Sequence, residues 1–164
     1  MRPPCSYFAE SGAEAQVGTL RNRPAACKSA HKSQICSTPL TRALIDDSID
    51  NTHHRAGAPI GGALMETAVV TEVVRTLTHR GAEPQVFFWR TSTGVEVDLV
   101  VDTRRELVPI EAKLSATPNR GMAKGIEEFS AALGQRVAKG YVVHPGDTKL
   151  PLGPAAVAWP LGAF

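Results

Sequence analysis

Cysteine is scarce in the 164-residue chain: Cys5, Cys27 and Cys36 all fall in the first quarter, and no two form a CxxC pair. An odd count at such spacing makes no disulfide framework and reads as reduced thiols in a cytoplasmic protein. Cys27 and Cys36 with His53 and His54 make a poor zinc set, because adjacent histidines project apart and no second close cysteine pair exists. There is no run of about 18 apolar residues, which speaks against a membrane span. The N-terminus "MRPPCSYFAESGAEAQ" lacks the apolar stretch of a secretory signal. A large charge of one sign is missing too. Eighteen basic against sixteen acidic residues leave a formal net charge of +2, so any polyanion would have to be met by a local patch. No Gly-x4-Gly-Lys-Ser/Thr loop occurs, so no ATP site is expected from this chain.

What is present suits one ordinary domain, at 43% hydrophobic and 21% charged residues. Over residues 1–56 apolar residues are scattered without a period of 2 or 3.6. This predicts a poorly structured arm, with at most a short helix over "TRALIDDSI". The stretch "GAPIGG" then opens a regular domain over residues 57–164. "ALMETAVVTEVVRTLTHRG" sets Leu64, Ala68, Val69, Val73 (or Val74) and Leu77 on one helical stripe, with Gly81 as the stop. "PQVFFWR", "VEVDLVV" and "ELVPIEAK" read as three strands, with "TSTG" and residues 103–106 as the turns between them. "MAKGIEEFSAALG" is a second helix, "VAKGYVVH" a further strand, and "AAVAWPL" a last short one after a Pro/Gly-rich loop around residues 146–154. Helix, three strands, helix, strand is an α/β order: an α-β-β-β-α-β core with helices flanking a central mixed sheet.

Chemistry is concentrated in "VEVDLVVDTRRELVPIEAK". Alternation puts Val95, Val97, Leu99 and Val101 on one face of the first strand, and Glu96, Asp98, Val100 and Asp102 on the other. A four-residue loop pairs Asp102 with Leu107. It therefore sets Asp98 across from Glu111 and Glu96 across from Lys113, with Lys113 sharing a face with Glu111. Opposed carboxylates repel unless a cation lies between them. Mg2+ takes oxygen ligands, often from one or two carboxylates plus water and phosphate. With a nearby lysine these are the parts of metal-assisted phosphodiester hydrolysis. The same alternation is also how an exposed strand face stays soluble, with Glu96 and Lys113 as a surface ion pair.

Several short motifs then recur in a familiar order: Gly62 with Glu66, Phe88-Trp89-Arg90, Gly94 with Glu96-Val97-Asp98, and Pro109-Ile110-Glu111-Ala112-Lys113. Over residues 57–164 the chain resembles the uncharacterised C-terminal domain that follows the ATPase module in a widespread group of prokaryotic AAA-type ATPases. That domain looks like the restriction-endonuclease-like PD-(D/E)XK nuclease fold. The resemblance implies Asp98, Glu111 and Glu66 as ligands of Mg2+, Lys113 as the catalytic lysine, and Arg90 as a phosphate contact, with Glu96 ranked below Asp98. Arg90 pairing with Glu96 is the plainer alternative. Lys124, on the second helix, is a further candidate for substrate binding, and Trp89, Phe87 and Phe129 read as core. The expectation is a Mg-dependent nuclease-like domain acting on DNA, a fragment of an ATPase-associated protein. Two alternatives stand beside it: a non-catalytic module binding nucleic acid or protein in an AAA-type ATPase system, and an inactive fragment.

Overall fold

The structure, a computed structural model, describes residues 15–19 and 59–163. Helix α1, Pro59–His79, ends as its sequence suggests. Gly81 adopts φ 72°, and the amides of Gly81 and Ala82 donate to the carbonyls of Thr78 and Leu77. This left-handed cap satisfies two carbonyls that the helix leaves open, and glycine adopts it without steric cost. The buried stripe of α1 is Met65, Val69 and Val73, with Ala68, Val70 and Leu77 partly covered. Met65, not Leu64, leads the stripe, since residues at i, i+4 and i+8 stack on one face.

Among the described residues seven strands form one mixed sheet in the order β1-β2-β3-β4-β5-β7-β6. They are β1 (Ala15–Thr19), β2 (Val86–Thr91), β3 (Glu96–Asp102), β4 (Leu107–Ala112), β5 (Gly140–His144), β6 (Leu150–Pro151) and β7 (Ala156–Pro160). Strands β1 to β4 run antiparallel to their neighbours, β4, β5 and β7 are parallel, and β6 returns antiparallel on β7. The parallel step from β4 to β5 is made by a short 3-10 turn, Arg120–Ala123, and helix α2, Lys124–Leu133. The expected order of helices and strands is therefore present, as an α/β fold with a mixed sheet.

Two elements differ from the sequence reading. Ala15–Thr19, inside the expected arm, pairs with β2 as a strand. Leu150–Pro151, inside the expected Pro/Gly-rich loop, pairs with β7. Leu150–Pro151 is too short to show a period, and in "AQVGT" only Val17 is a large apolar residue, so partners make both of them strands. The helix expected over "TRALIDDSI" and the His53, His54, Cys27 and Cys36 group lie outside the described residues.

The two helices cover opposite faces. Met65, Val69 and Val73 of α1 pack on Leu99, Val101, Ile110 and Val143. On the other face Phe129 of α2 packs with Phe87, Trp89, Val97, Val100 and Leu107, and Ile126 with Val142 and Ala158. Trp89 and Phe129 meet edge to face at 5.4 Å, and both are buried as expected. Pro109 sits inside β4, and pairing with β5 starts only after it, at Ile110 opposite Tyr141. Proline has no amide proton to give the ladder, so the sheet is interrupted on that side.

Candidate functional site

The β3–β4 register is the one expected from the loop length: Asp102 opposite Leu107, Val101 opposite Val108, Val100 opposite Pro109 and Leu99 opposite Ile110. The face assignment of β3 needs correction. Phe87 pairs with Val100 and Trp89 with Val97, so β3 spends three residues where β2 spends two. The extra residue lies in the Asp98–Leu99 step and reverses the alternation there. Val97 consequently leaves the face of Leu99 and Val101 and packs with Val100 under α2.

The irregularity also aims Asp98. The β3–β4 ladder ends at the Leu99–Ile110 pair, and beyond it the amide of Ala112 donates to Asp98 Oδ2 at 3.0 Å. A side-chain carboxylate thus stands where a backbone carbonyl would have continued the ladder. Glu111 faces the α2 side, with only 2% of its surface exposed. Its Oε2 accepts from Lys113 Nζ at 2.8 Å. Its Oε1 lies against Gly125 in the first turn of α2, where a Cβ would run into Glu111 Oε1 and the carbonyl oxygen of Glu96.

The electrostatics bind four groups together. Burial holds the Asp98 carboxyl above its ordinary range, Glu66 adds to the rise, and the Ala112 amide and Lys113 oppose it. Burial, then the Asp98 charge, raises Glu111 from 4.5 to about 8, against the pull of Lys113. For Lys113 burial alone acts downward, but Glu111, Asp98 and Glu66 together outweigh it and raise the ammonium. Asp98, Glu111 and Lys113 therefore meet at one point at the end of β3 and β4, with Glu66 of α1 inside their electrostatic reach.

The remaining candidates sit further out. Arg90, the register partner of Glu96, pairs with it (Nε to Oε2, 3.6 Å), and both are about half exposed. Glu96 is thus paired with Arg90 and not with Lys113. Lys124, next to Gly125, extends to Glu128 at 3.8 Å and is largely exposed. Among the described residues no group of three or more His, Cys, Asp or Glu is disposed to hold a metal ion. The arrangement offers two converging carboxyl groups and not a three-carboxylate cage.

Two residues of this region escaped the sequence reading. Gly125 is one; its signal was a glycine in the first turn of an amphipathic helix, a costly place unless close approach demands it. His144 is the other. Ending a strand just before Pro145-Gly146, it reads in the sequence as a turn residue, yet it closes β5 fully buried: its Nδ1 accepts from the Gly146 amide at 3.1 Å and its Nε2 meets the Thr148 carbonyl at 2.8 Å. It ties the loop after β5 to the strand end beside Lys113, whose amide donates to Val143.

Residues 61–164 match the family model described as a domain of unknown function, DUF4143. The chain belongs to the DUF4143 family. Glu66, Asp98, Glu111, Lys113, Gly125 and His144 all lie inside the DUF4143 region, whereas β1 lies outside it. DUF4143 is associated with proteins that contain AAA-type ATPases. No curated protein and no solved structure matches the chain. Among the described residues no helix is long and apolar enough to cross a membrane.

Proposed function

We propose that this DUF4143 domain is a Mg-dependent nuclease-like module acting on DNA phosphodiesters, built on a PD-(D/E)XK-type core. The observation that carries the reading is the meeting of Asp98 and Glu111 beside the Lys113 ammonium at the end of β3 and β4. The donor set suits a divalent cation. With Glu66 it brings three carboxyl groups within electrostatic reach of one ammonium, and Asp98 and Glu111 are both raised, so ionising the whole set costs stability unless a further cation neutralises it. Mg2+ needs only one or two protein carboxylates when water and phosphate oxygens complete its shell. Asp98 and Glu111 would hold the ion, and Glu66 would add charge from the α1 side. The ion, when bound, supplies phosphate charge neutralisation and a more acidic water.

The protein's own part is positioning. The Ala112 amide and the β3 irregularity hold Asp98, and Gly125 and Lys113 fix the two oxygens of Glu111. Lys113 offers its ammonium to a phosphate oxygen, where negative charge develops during displacement. Arg90 and Lys124 lie on exposed surface with long ion pairs that a phosphate backbone can replace.

A second reading is a non-catalytic module that binds nucleic acid or protein within an AAA-type ATPase system. It rests on the missing three-ligand cluster among the described residues and on the ATPase association of the family. Calorimetric titration of the intact chain with Mg2+, paired with cleavage assays on single- and double-stranded DNA, separates the two. The nuclease reading expects Mg2+ binding that Asp98→Ala abolishes, and Mg-dependent cleavage. An intact protein that binds no Mg2+ ends it and leaves the binding-module reading.

A further inference from the structure

The two oxygens of the Glu111 carboxylate have different surroundings. Oε1 lies against the first turn of α2, in the space a Cβ at Gly125 would take. Oε2 is held by Lys113 Nζ at 2.8 Å. The Glu111 side chain is 3% exposed and that of Lys113 is 39% exposed, so the ammonium lies on the solvent side of the carboxylate. A cation approaching Glu111 from the side of the Lys113 ammonium therefore arrives at the oxygen that the lysine already occupies.

We propose that Lys113 is the resident counter-ion of the Asp98–Glu111 pair, and that a divalent cation displaces it, freeing the ammonium for a phosphate. This rests on the reading of Asp98 and Glu111 as cation ligands. An ammonium and a dication in contact with one carboxylate oxygen stand a few ångströms apart and repel, so one must leave. The lysine can leave. Its stem is flexible, and more than a third of its side chain is already exposed. The alternatives are exclusive: with the site empty of metal the lysine neutralises the acids, and with the site filled it faces outward. The residue expected to act on substrate would then be in place only when the ion is.

The exchange has a consequence for affinity. A cation that must first break a charge-assisted hydrogen bond binds more weakly than one meeting a free carboxylate. In a calorimetric Mg2+ titration of the full chain, Lys113→Met and Lys113→Gln are expected to bind the ion at least ~10-fold more tightly than wild type. A second measurement needs no variant. Acylation of Lys113 by an amine-reactive ester, followed by mass spectrometry, is expected to speed up severalfold on adding MgCl2 but not KCl of equal ionic strength. If wild type binds Mg2+ while the variants bind no more tightly and the acylation rate stays unchanged, the exchange is overturned and the functional reading stands. If wild type binds no Mg2+ at all, the functional reading itself fails. Should the variants not fold, the acylation rate of the wild type decides alone.

Discussion

The Ala112 amide donates to the Asp98 carboxylate, 3.0 Å away, just past the last paired residues of β3 and β4. That bond explains how a buried-sheet neighbourhood tolerates an acid. The strands part after Leu99 and Ile110, an amide is left without its ladder partner, and the carboxylate takes it up. The extra residue of β3 opposite β2 turns Asp98 to make this possible. Structure and chemistry are joined here: the irregularity that ends the ladder also points the acid at Glu111.

A carboxyl group that is raised by burial makes stability depend on pH. Glu111 holds its proton up to about 8 in the folded protein, against an ordinary value of 4.5. Its contribution to stability is therefore full below about pH 4.5 and is lost as pH rises through about 8. The raised Asp98 acts in the same sense. In EDTA, Glu111→Gln is expected to melt above wild type at about pH 8, by on the order of 5 °C. The advantage should shrink toward about pH 5. Thermal denaturation at the two pH values checks this, and a constant difference would show that burial does not hold the Glu111 proton.

Gly125→Ala offers a test whose sign is informative. On an open helix surface the change would stabilise by up to about 1 kcal/mol. Here the added methyl meets Glu111 Oε1 and the Glu96 carbonyl, so α2 must shift or Glu111 must turn. The expected outcome is a loss of about 1–3 kcal/mol in urea unfolding. A gain in stability would place α2 further from the site than described.

The buried His144 carries a comparable prediction. His144→Leu keeps most of the volume but strips the Gly146 amide and the Thr148 carbonyl of their partners. Both bonds are only part-buried, so the two together are expected to cost about 1–3 kcal/mol. Urea unfolding should register the loss, and hydrogen exchange at the Gly146 amide should accelerate. An unchanged exchange rate would mean that the loop after β5 holds itself without the histidine.

Much of this arrangement was legible before any coordinates. The two helices, the strands β2 to β5 and β7, and the four-residue turn follow from periodicity and punctuation, because each is long enough to show a pattern. The pairing of Asp102 with Leu107 follows from the loop length. Trp89, Phe87 and Phe129 could be read as core from their size and apolar neighbours.

Other features depend on partners distant in the chain. The face of Val97 turned on one extra residue in β3 relative to β2, and counting within β3 alone could not show it. Arg90 and Glu96 became partners through the β2–β3 register, which removed Glu96 from Lys113. Gly125 is needed because α2 lies against the end of β3 and β4.

The chain by itself determined which residues carry charge, where the turns fall and how β3 meets β4, since those are properties of local spacing. Tertiary structure alone decided that Glu111 is buried against α2 with Lys113 on one of its oxygens, and that Glu66 lies within electrostatic reach of that lysine. Burial and mutual approach give those groups their unusual proton affinities, and neither quantity exists until helices and sheet have packed.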